Sequence, residues 1–313
     1  MPLPDADLQI VPVTTADHIA AWVRVHNLAS PCLPVGPVTL EANWQLAPQW
    51  RAVLAVRDGR PVGAAHIEVQ HWSPASRHAD AQIVVGPADR CTGVGTALYD
   101  DCAVWARTAG RVGIDVWVFE NDPDGPGFWS RRGFDEVGRE ERSRLDLTAE
   151  PVPVQTPLSA GITLVTLEGR PELERGIYAV AREAVADVPG IDGYDAGDFA
   201  HFRAGELRLP GLIEECAVVA MAGEVVIGYA ILVRYEARPT VACHEMTAVA
   251  RAWRGRGIAR AMKETQIVHA RTIGLEALEA DNERRNLPMR ALNAHLGYTP
   301  LPACIQLRGP LVG

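Results

Sequence analysis

Two short strings in this chain have the composition of a phosphate-binding turn. They are Arg90-Cys91-Thr92-Gly93-Val94-Gly95-Thr96 and Arg254-Gly255-Arg256-Gly257-Ile258-Ala259. Each follows a short apolar run of strand character and precedes a run with helical periodicity. A strand feeding a glycine-rich turn that opens a helix leaves several backbone N–H groups pointing outward, and the helix macrodipole adds positive potential there. Gly93 and Gly95, or Gly255 and Gly257, let the backbone close around an anion without a Cβ in the way. One such string alone reads equally as a turn before a helix. Here there are two, and each arginine is followed 44 residues later by the aromatic of a Gly-aromatic pair, Phe134 or Tyr298.

The strings belong to an internal repeat. Arg90 to Arg254 and Phe134 to Tyr298 are both offsets of 164 residues, and the upstream runs ending at Gly63 and Gly228 are offset by 165. Between the copies lies a stretch with Pro151, Pro153 and Pro157, an extended linker by composition. The sequence therefore divides into a domain over residues 1–150, a linker over 151–157 and a domain over 158–313. In each copy a first strand (8–13; 162–167) leads into an irregular, mainly helical stretch. A hairpin follows, turning at Asp58-Gly59 or Ala222-Gly223. The strand before each glycine loop covers 81–85 or 245–249, and Val85 and Val249 end it. A helix follows each loop, with Leu98, Cys102 and Trp105 on one face in the first copy and Ile258, Met262, Thr265 and Val268 in the second. A further strand (114–119; 275–280) precedes the Gly-aromatic pair.

Composition narrows the function. A hydrophobic content of 48% with 22% charged residues is that of a globular protein with a sizeable core. The net charge of -9 argues against a nucleic-acid partner, which demands a basic face. Lys263 is the only lysine, as GC-rich coding favours arginine. The six cysteines, Cys32, Cys91, Cys102, Cys216, Cys243 and Cys304, include no Cys-x-x-Cys pair, so neither a metal site nor a disulfide framework is expected, and a reducing cytoplasm fits. The N-terminal residues lack the pattern of a secretory signal. The longest apolar stretch, 217–233, is broken by Glu224 and two glycines, so no membrane partner is expected.

The motif order resembles the GNAT superfamily of N-acetyltransferases, in its tandem-domain branch of actinobacterial, mycothiol-synthase-like architecture. The likeness rests on both loops, on the later Arg132-Gly133-Phe134 and Leu296-Gly297-Tyr298, and on the segments DNERRN and MRALNAHLGY of the second copy. It implies a mixed α/β (α+β) class: two tandem folds, each a mostly antiparallel sheet flanked by helices. It also implies acetyl-CoA as donor, with its pyrophosphate on Arg90, Thr92, Gly93, Val94, Gly95 and Thr96 or on Arg254, Gly255, Arg256, Gly257, Ile258 and Ala259. The pantetheine arm would pair along the strands ending at Val85 and Val249, and the amide of Asn286 would hold it in the second copy. Direct transfer to an amine is implied, with no acyl-enzyme and no metal.

That chemistry needs a base for the ammonium proton and an acid for the leaving thiolate. In the family the base is often a carboxylate on the strand before the loop, an odd number of residues upstream of the motif. Glu245 is nine before Arg254; Ala81 holds that place in the first copy, and Asp80 and Gln82 face the other way unless a bulge intervenes. Glu245 reads equally as an ordinary strand carboxylate paired with an arginine, and Asn286 equally as a helix N-cap. The family's tyrosine acid is replaced by Asn293 and Trp129, leaving water, Tyr298 or His244. Asp187, Asp192, Asp195 and Asp198 could hold a cationic acceptor or serve as turn and cap residues. The reading is an N-acetyltransferase, active in its second half, acting on a cationic small-molecule amine as a monomer or homodimer. An acyl-CoA-binding module and a protein-lysine acetyltransferase are the alternatives.

Overall fold

Alternating apolar runs and glycine turns build strands, and the 3.6-residue stripes build the helices that cover them. A computed structural model of the chain describes residues 8–73, 75–149, 155–189 and 195–311. It forms two compact units, Met1–Arg139 with Cys304–Gly313, and Glu140–Ala303. Pro151 and Pro153 of the expected linker lie outside the described residues. Thr156 is held to the second unit through its N–H and hydroxyl, both bonded to the Glu264 carboxylate (2.6 and 3.0 Å).

The first unit contains β1 (Gln9–Pro12), α1 (Ala16–Ala29), α2 (Pro37–Leu46), β2 (Trp50–Arg57), β3 (Arg60–Glu68), β4 (His78–Val85), α3 (Val94–Thr108), β5 (Gly113–Phe119) and α4 (Gly125–Ser130). A long strand, β6 (Asp135–Asp146), runs from the first unit into the second. The second unit continues with β7 (Ile162–Thr166), α5 (Glu174–Val185), α6 (Phe199–Gly205), β8 (Val218–Ala222), β9 (Val225–Tyr235), β10 (Arg238–Val249), α7 (Ile258–Thr272), β11 (Ala277–Glu283), α8 (Leu287–His295) and β12 (Thr299–Pro300). The last strand, β13 (Cys304–Pro310), belongs to the first unit, where it pairs antiparallel with β5. Residues 140–146 of β6 pair antiparallel with β11 in the second. The compact units thus differ from a cut at residues 151–157, because each is completed by a strand from the other half of the sequence.

Within each unit the pairing is antiparallel except for one parallel pair, β4 with β5 and β10 with β11. The first hairpin turns at Asp58-Gly59 as its residues suggest, both with positive φ. The second turns one residue later than expected, at Gly223-Glu224, since Ala222 pairs with Val225. Each sheet is covered on both faces. In the first unit α3 packs Val94, Leu98, Cys102 and Ala106 against Ala79, Ala81 and Ile114, while α1 and α2 bring Trp22 and Trp44 to Leu54, Ala64 and Val84. In the second, α5 and α6 cover Tyr229, Ile231 and Ala248, and α7 covers Val218, Ile227 and Val249. A Cβ on Gly63 would come within 2.7 Å of Val94, and one on Gly228 within 2.9 Å of the Ala248 carbonyl. These matched glycines let strand and neighbour approach closely.

Candidate active site

Besides an irregularity at the start of β10, between Arg238 and Ala242, the two copies differ near the loop by one residue of register. In the first unit β4 pairs with β3 without interruption from Gly63–Val85 to Glu68–Asp80. In the second, His244 pairs with Leu232 and Met246 with Ile231, so Glu245 is the extra residue of a β-bulge. This revises the orientation argument. Counted by parity alone, Glu245 would share a face with Val249, which packs into the α7 core. The bulge re-aims it. Its charge is instead coupled to Asp281 and to Glu206 and Glu140. In β4, Ala79 and Ala81 lie in the α3 core, and Asp80 and Gln82 face the α1–α2 side.

Beside the bulge, the parallel partner strands part. Pairing of β10 with β11 stops at Cys243–Glu279, and that of β4 with β5 at Ala81–Val116. Beyond those points one backbone edge of β10 or β4 is open to an amide-bearing ligand.

At the mouth of the second cleft, Gly255 and Gly257 take φ of 74° and 75°, Gly257 as the N-cap of α7. A Cβ at Gly255 would meet nothing within 4 Å, so the turn is open. Ile258 is buried in the core and Ala259 packs beside it, leaving only their backbones for a ligand. Arg254 folds back, its Nε donating to the Val249 carbonyl at 2.9 Å and its Nη1 to Asp187 at 2.7 Å. It braces the loop against the strand end. Arg256 is exposed, stacked on Trp253 at 4.8 Å.

The first loop is built alike but more encumbered. Cys91 and Gly93 have positive φ. Arg90 reaches toward the Val85 carbonyl (3.5 Å) and pairs with Asp124 at 2.7 Å and Asp122 at 3.6 Å. The Thr92 hydroxyl donates to the Asp89 carbonyl and accepts from Arg57. Val94 is core. The Phe128 ring lies 3.1 Å from where a Cβ on Gly95 would stand, and Arg132, stacked on that ring at 3.7 Å, donates to the Thr96 hydroxyl at 2.7 Å. An apolar ring and an arginine thus cover the start of α3.

Carboxyl groups gather on the α5–α6 side of the second cleft. Glu245 is open to solvent on one side, yet protein surrounds it so closely that loss of hydration is the main force on its proton. Burial, then the charge of Asp281, raises its pKa. Burial and the nearby Glu245 push Glu206 up to about 8, against the Tyr229 hydroxyl, which favours its ionised form. Burial and Asp281 push Glu140 to about 7. Asp281 is itself raised by burial, opposed by Arg142 at 3.3 Å. Glu279, next along β11, differs. Burial acts to raise it, but Arg238, Arg142 and Arg144 surround it at 2.8–3.3 Å and hold it below the ordinary value. Within the group that remains, Glu140, Glu206, Glu245 and Asp281, each carboxylate charge disfavours ionisation of its neighbours.

The sequence singled out Glu245 as a candidate base but offered no reason to group Glu140, Glu206 or Asp281 with it. The alternation of Glu279, Asp281 and Glu283 along one strand was the available signal for Asp281. The aspartates thought able to hold a cation do other work. Asp187 is bonded by Arg251 and Arg254, which keep its carboxyl far below the usual range. Asp195 accepts from the Gly197 N–H, and Asp198 caps α6 through the His201 N–H. Asp192 lies outside the described residues.

Asn286 caps α8, accepting from the Met289 N–H at 3.4 Å. Asn293, in the place of the family's tyrosine, is buried and donates to Asn282 at 2.6 Å; Trp129 is a core aromatic. His244 shares a 2.6 Å hydrogen bond with the Tyr298 hydroxyl. Burial, then the Lys263 charge, keeps His244 neutral, and burial raises Tyr298. Neither releases a proton readily.

Twice in one chain, a glycine-opened helix stands at the mouth of two parting parallel strands, an arrangement suited to hold a phosphate-bearing ligand with an amide arm. The acetyltransferase (GNAT) family model matches residues 22–134 and again 191–298, and the chain belongs to that family as a tandem N-acetyltransferase. A mycothiol acetyltransferase of Nocardia farcinica (strain IFM 10152) is 26% identical over 288 residues, 91% of either chain. One of Clavibacter michiganensis subsp. michiganensis (strain NCPPB 382) is 30% identical over 172 residues, 52% of either. A solved tandem GNAT protein from the clavulanic acid biosynthesis pathway superposes with a TM-score of 0.81 at 21% identity, covering 98% of this chain and 99% of its own. A GCN5-related N-acetyltransferase from Sphaerobacter thermophilus gives 0.74 at 19%, covering 99% and 98%. No helix among the described residues is long and apolar enough to cross a membrane.

Proposed function

We propose that the chain transfers an acetyl group from acetyl-CoA to the primary amine of a cationic small molecule, and that the Glu140–Ala303 unit carries the reaction. The observation that bears most weight is the bulged Glu245 within a cluster of carboxyls, in the same unit as an open glycine loop bearing the exposed Arg256. When bound, acetyl-CoA supplies an activated thioester. The N–H groups of residues 255–259 would hold its pyrophosphate, and the open edge of β10 its amide arm. The carboxyl cluster draws in an ammonium group, and a raised pKa suits Glu245 to take its proton near neutral pH. The freed amine attacks the thioester carbonyl, the C–S bond breaks, and the thiolate takes a proton from water. The relatives named for mycothiol support a small-molecule acceptor over a protein lysine.

In the first unit, the coverage of Gly95 and Thr96 by Phe128 and Arg132 favours a module that does not transfer. The test is thiol release over a panel of small amines, with acetyl-CoA binding measured by calorimetry. Saturable release that collapses in Glu245→Gln supports the assignment. Binding of acetyl-CoA without release by any amine would replace transfer with binding as the function.

A further inference from the structure

Three arginines surround Glu279, and one of them reaches further. Arg142, on β6 and 4% exposed, donates through Nη2 to Glu279 and through Nε to Asp281, both at 3.3 Å. Glu279 is well matched without it: Arg238 grips both carboxylate oxygens at 2.8 and 3.0 Å, and Arg144 donates at 3.0 Å. Among the described residues, no other lysine or arginine forms an ion pair with Asp281. Strand register sets Arg142 directly opposite Asp281, two residues along from the Arg144–Glu279 pair and on the same face.

The first unit shows which of these pairs is particular to the second. There β13 and β5 set Arg308 opposite Asp115, as Arg144 stands opposite Glu279. Two residues along, Gln306 stands opposite Trp117, both uncharged, where the second unit has Arg142 and Asp281. The extra ion pair therefore accompanies the bulged Glu245 and is missing beside the regular strand. Glu245 itself has no lysine or arginine ion-pair partner among the described residues. The groups that face it are Asp281 from β11, Glu140 from β6, Glu206 at the end of α6 and Cys243 on its own strand. Around Asp281 stand Arg142, Arg238, Glu279 and Glu140, with Tyr235 and Cys243 from the adjoining hairpin.

Resting on the reading of Glu245 as the base, we propose that Arg142 is its positioning residue: the buried guanidinium keeps Asp281 a carboxylate, so that the base faces a fixed negative charge. Burial favours the neutral form of Asp281 and Arg142 opposes it. Without Arg142, Asp281 gains a proton more readily, and its repulsion of the Glu245 carboxylate is lost. Glu140 is held toward ionisation by the same guanidinium, so its loss acts there with the same sign. Glu279 keeps two arginines, and the effect falls mainly on Asp281.

The test follows the side-chain carboxyl ¹³C resonances of Glu245 and Asp281 against pH in the full chain, assigned with Glu245→Gln and Asp281→Asn. In the unaltered chain Asp281 should titrate below Glu245. In Arg142→Met the Glu245 curve should move to lower pH, while Arg144→Met, which loosens Glu279 and not Asp281, should leave it in place. In the Asp281→Asn background, Arg142→Met should move Glu245 by less than about half as much. With a good amine, the ratio of kcat/KM at pH 6 to that at pH 8 should rise about threefold or more in Arg142→Met. A Glu245 curve that Arg142→Met leaves in place or moves up, or moves as far when Asp281 is absent, overturns the proposal. Should Arg142→Met fail to fold, the unaltered chain decides: Asp281 titrating below Glu245 supports the role, and above it overturns it. The carboxyl titrations need no turnover, so a failure of the base assignment, read by thiol release, is distinguished from a failure of this coupling.

Discussion

The two units share a frame and differ in what stands beside it. Both have a parallel pair of strands that part, a left-handed glycine capping the next helix, and a leading arginine that reaches back toward the strand's last carbonyl. In the second unit one extra residue in β10 turns a carboxylate out of the α7 side, and the loop stays open. In the first, β4 is regular, its one carboxylate, Asp80, sits one row away, and Phe128 with Arg132 covers the helix start. The two units thus share a scaffold, and the proposed difference in their chemistry rests on the residue inserted near the loop in one and on Phe128 with Arg132 in the other.

The largest effect should come from erasing that inserted residue. Glu245→Gln keeps the bulge and removes the base, and kcat/KM for a good amine should fall about 10²–10⁴-fold. Deleting Glu245 should cost at least as much and also weaken acetyl-CoA binding, because a regular β10 loses the first unit's missing feature. A deletion variant more active than Glu245→Gln would show that the bulge is unimportant. In pH–rate profiles, the raised pKa of Glu245 and of Glu206 (about 8) places the rise of kcat/KM nearer neutrality than an ordinary carboxylate would. An acid limb near pH 4.5 would contradict this.

A second contrast concerns stability. Glu279 and Asp115 occupy matching places on β11 and β5, but their arginines differ in access to water. Glu279 and Arg142 are both buried, and Arg144 and Arg238 add to the group. Removing the carboxylate leaves the buried Arg142 guanidinium with Asp281 alone, so Glu279→Gln should cost about 3 kcal/mol in denaturant unfolding. Arg308 has 36% of its side chain exposed and can rehydrate. Asp115→Asn should therefore cost less, about 1–2 kcal/mol. Equal losses would mean that water reaches both networks alike.

Much of the frame was legible because it is local. Glycine turns, apolar periodicity and the 164-residue offset needed no knowledge of distant contacts. The bulge was not, since Glu245 becomes an extra residue only when β10 is aligned with β9. Nor was the carboxyl cluster, which joins Glu140 on β6, Glu206 at the end of α6 and Asp281 on β11. The exchange of final strands was hidden for the same reason. Asp187 shows the reverse error: in sequence it sat among acidic neighbours, but in space two arginines claim it.

A smaller effect separates the carboxyls by pH. Glu206 has a folded-state pKa near 8 against an ordinary value near 4.5. Between those values the folded chain binds more protons than the unfolded one, so the stability this group contributes falls as pH rises. Lys263, lowered from 10.5 to about 7 by burial, and His66, lowered from 6.5 to about 3, act with the opposite sign over ranges that overlap this one. Comparing Glu206→Gln with the parent chain reports this group together with the relief it gives Glu245. The difference in Tm should be small at pH 5 and grow in favour of the variant toward pH 8. A difference that stays flat would show that Glu206 is hydrated.

The smallest effect tests what the helix after the cleft contributes. In the second unit Asn286 caps α8; in the first, Asp122 instead accepts the N–H of Asp124 and faces Arg90, and α4 has no side-chain cap. As a cap alone, Asn286→Ala should cost about 1 kcal/mol of stability and leave KM for acetyl-CoA unchanged. If the amide also reaches the bound pantetheine arm, KM should rise several-fold while Asn286→Asp, which still caps, restores stability but not KM. The two substitutions therefore divide the roles. A KM that follows stability through both variants would reduce Asn286 to a cap, and the second unit's hold on acetyl-CoA would then rest on its loop and strand backbones.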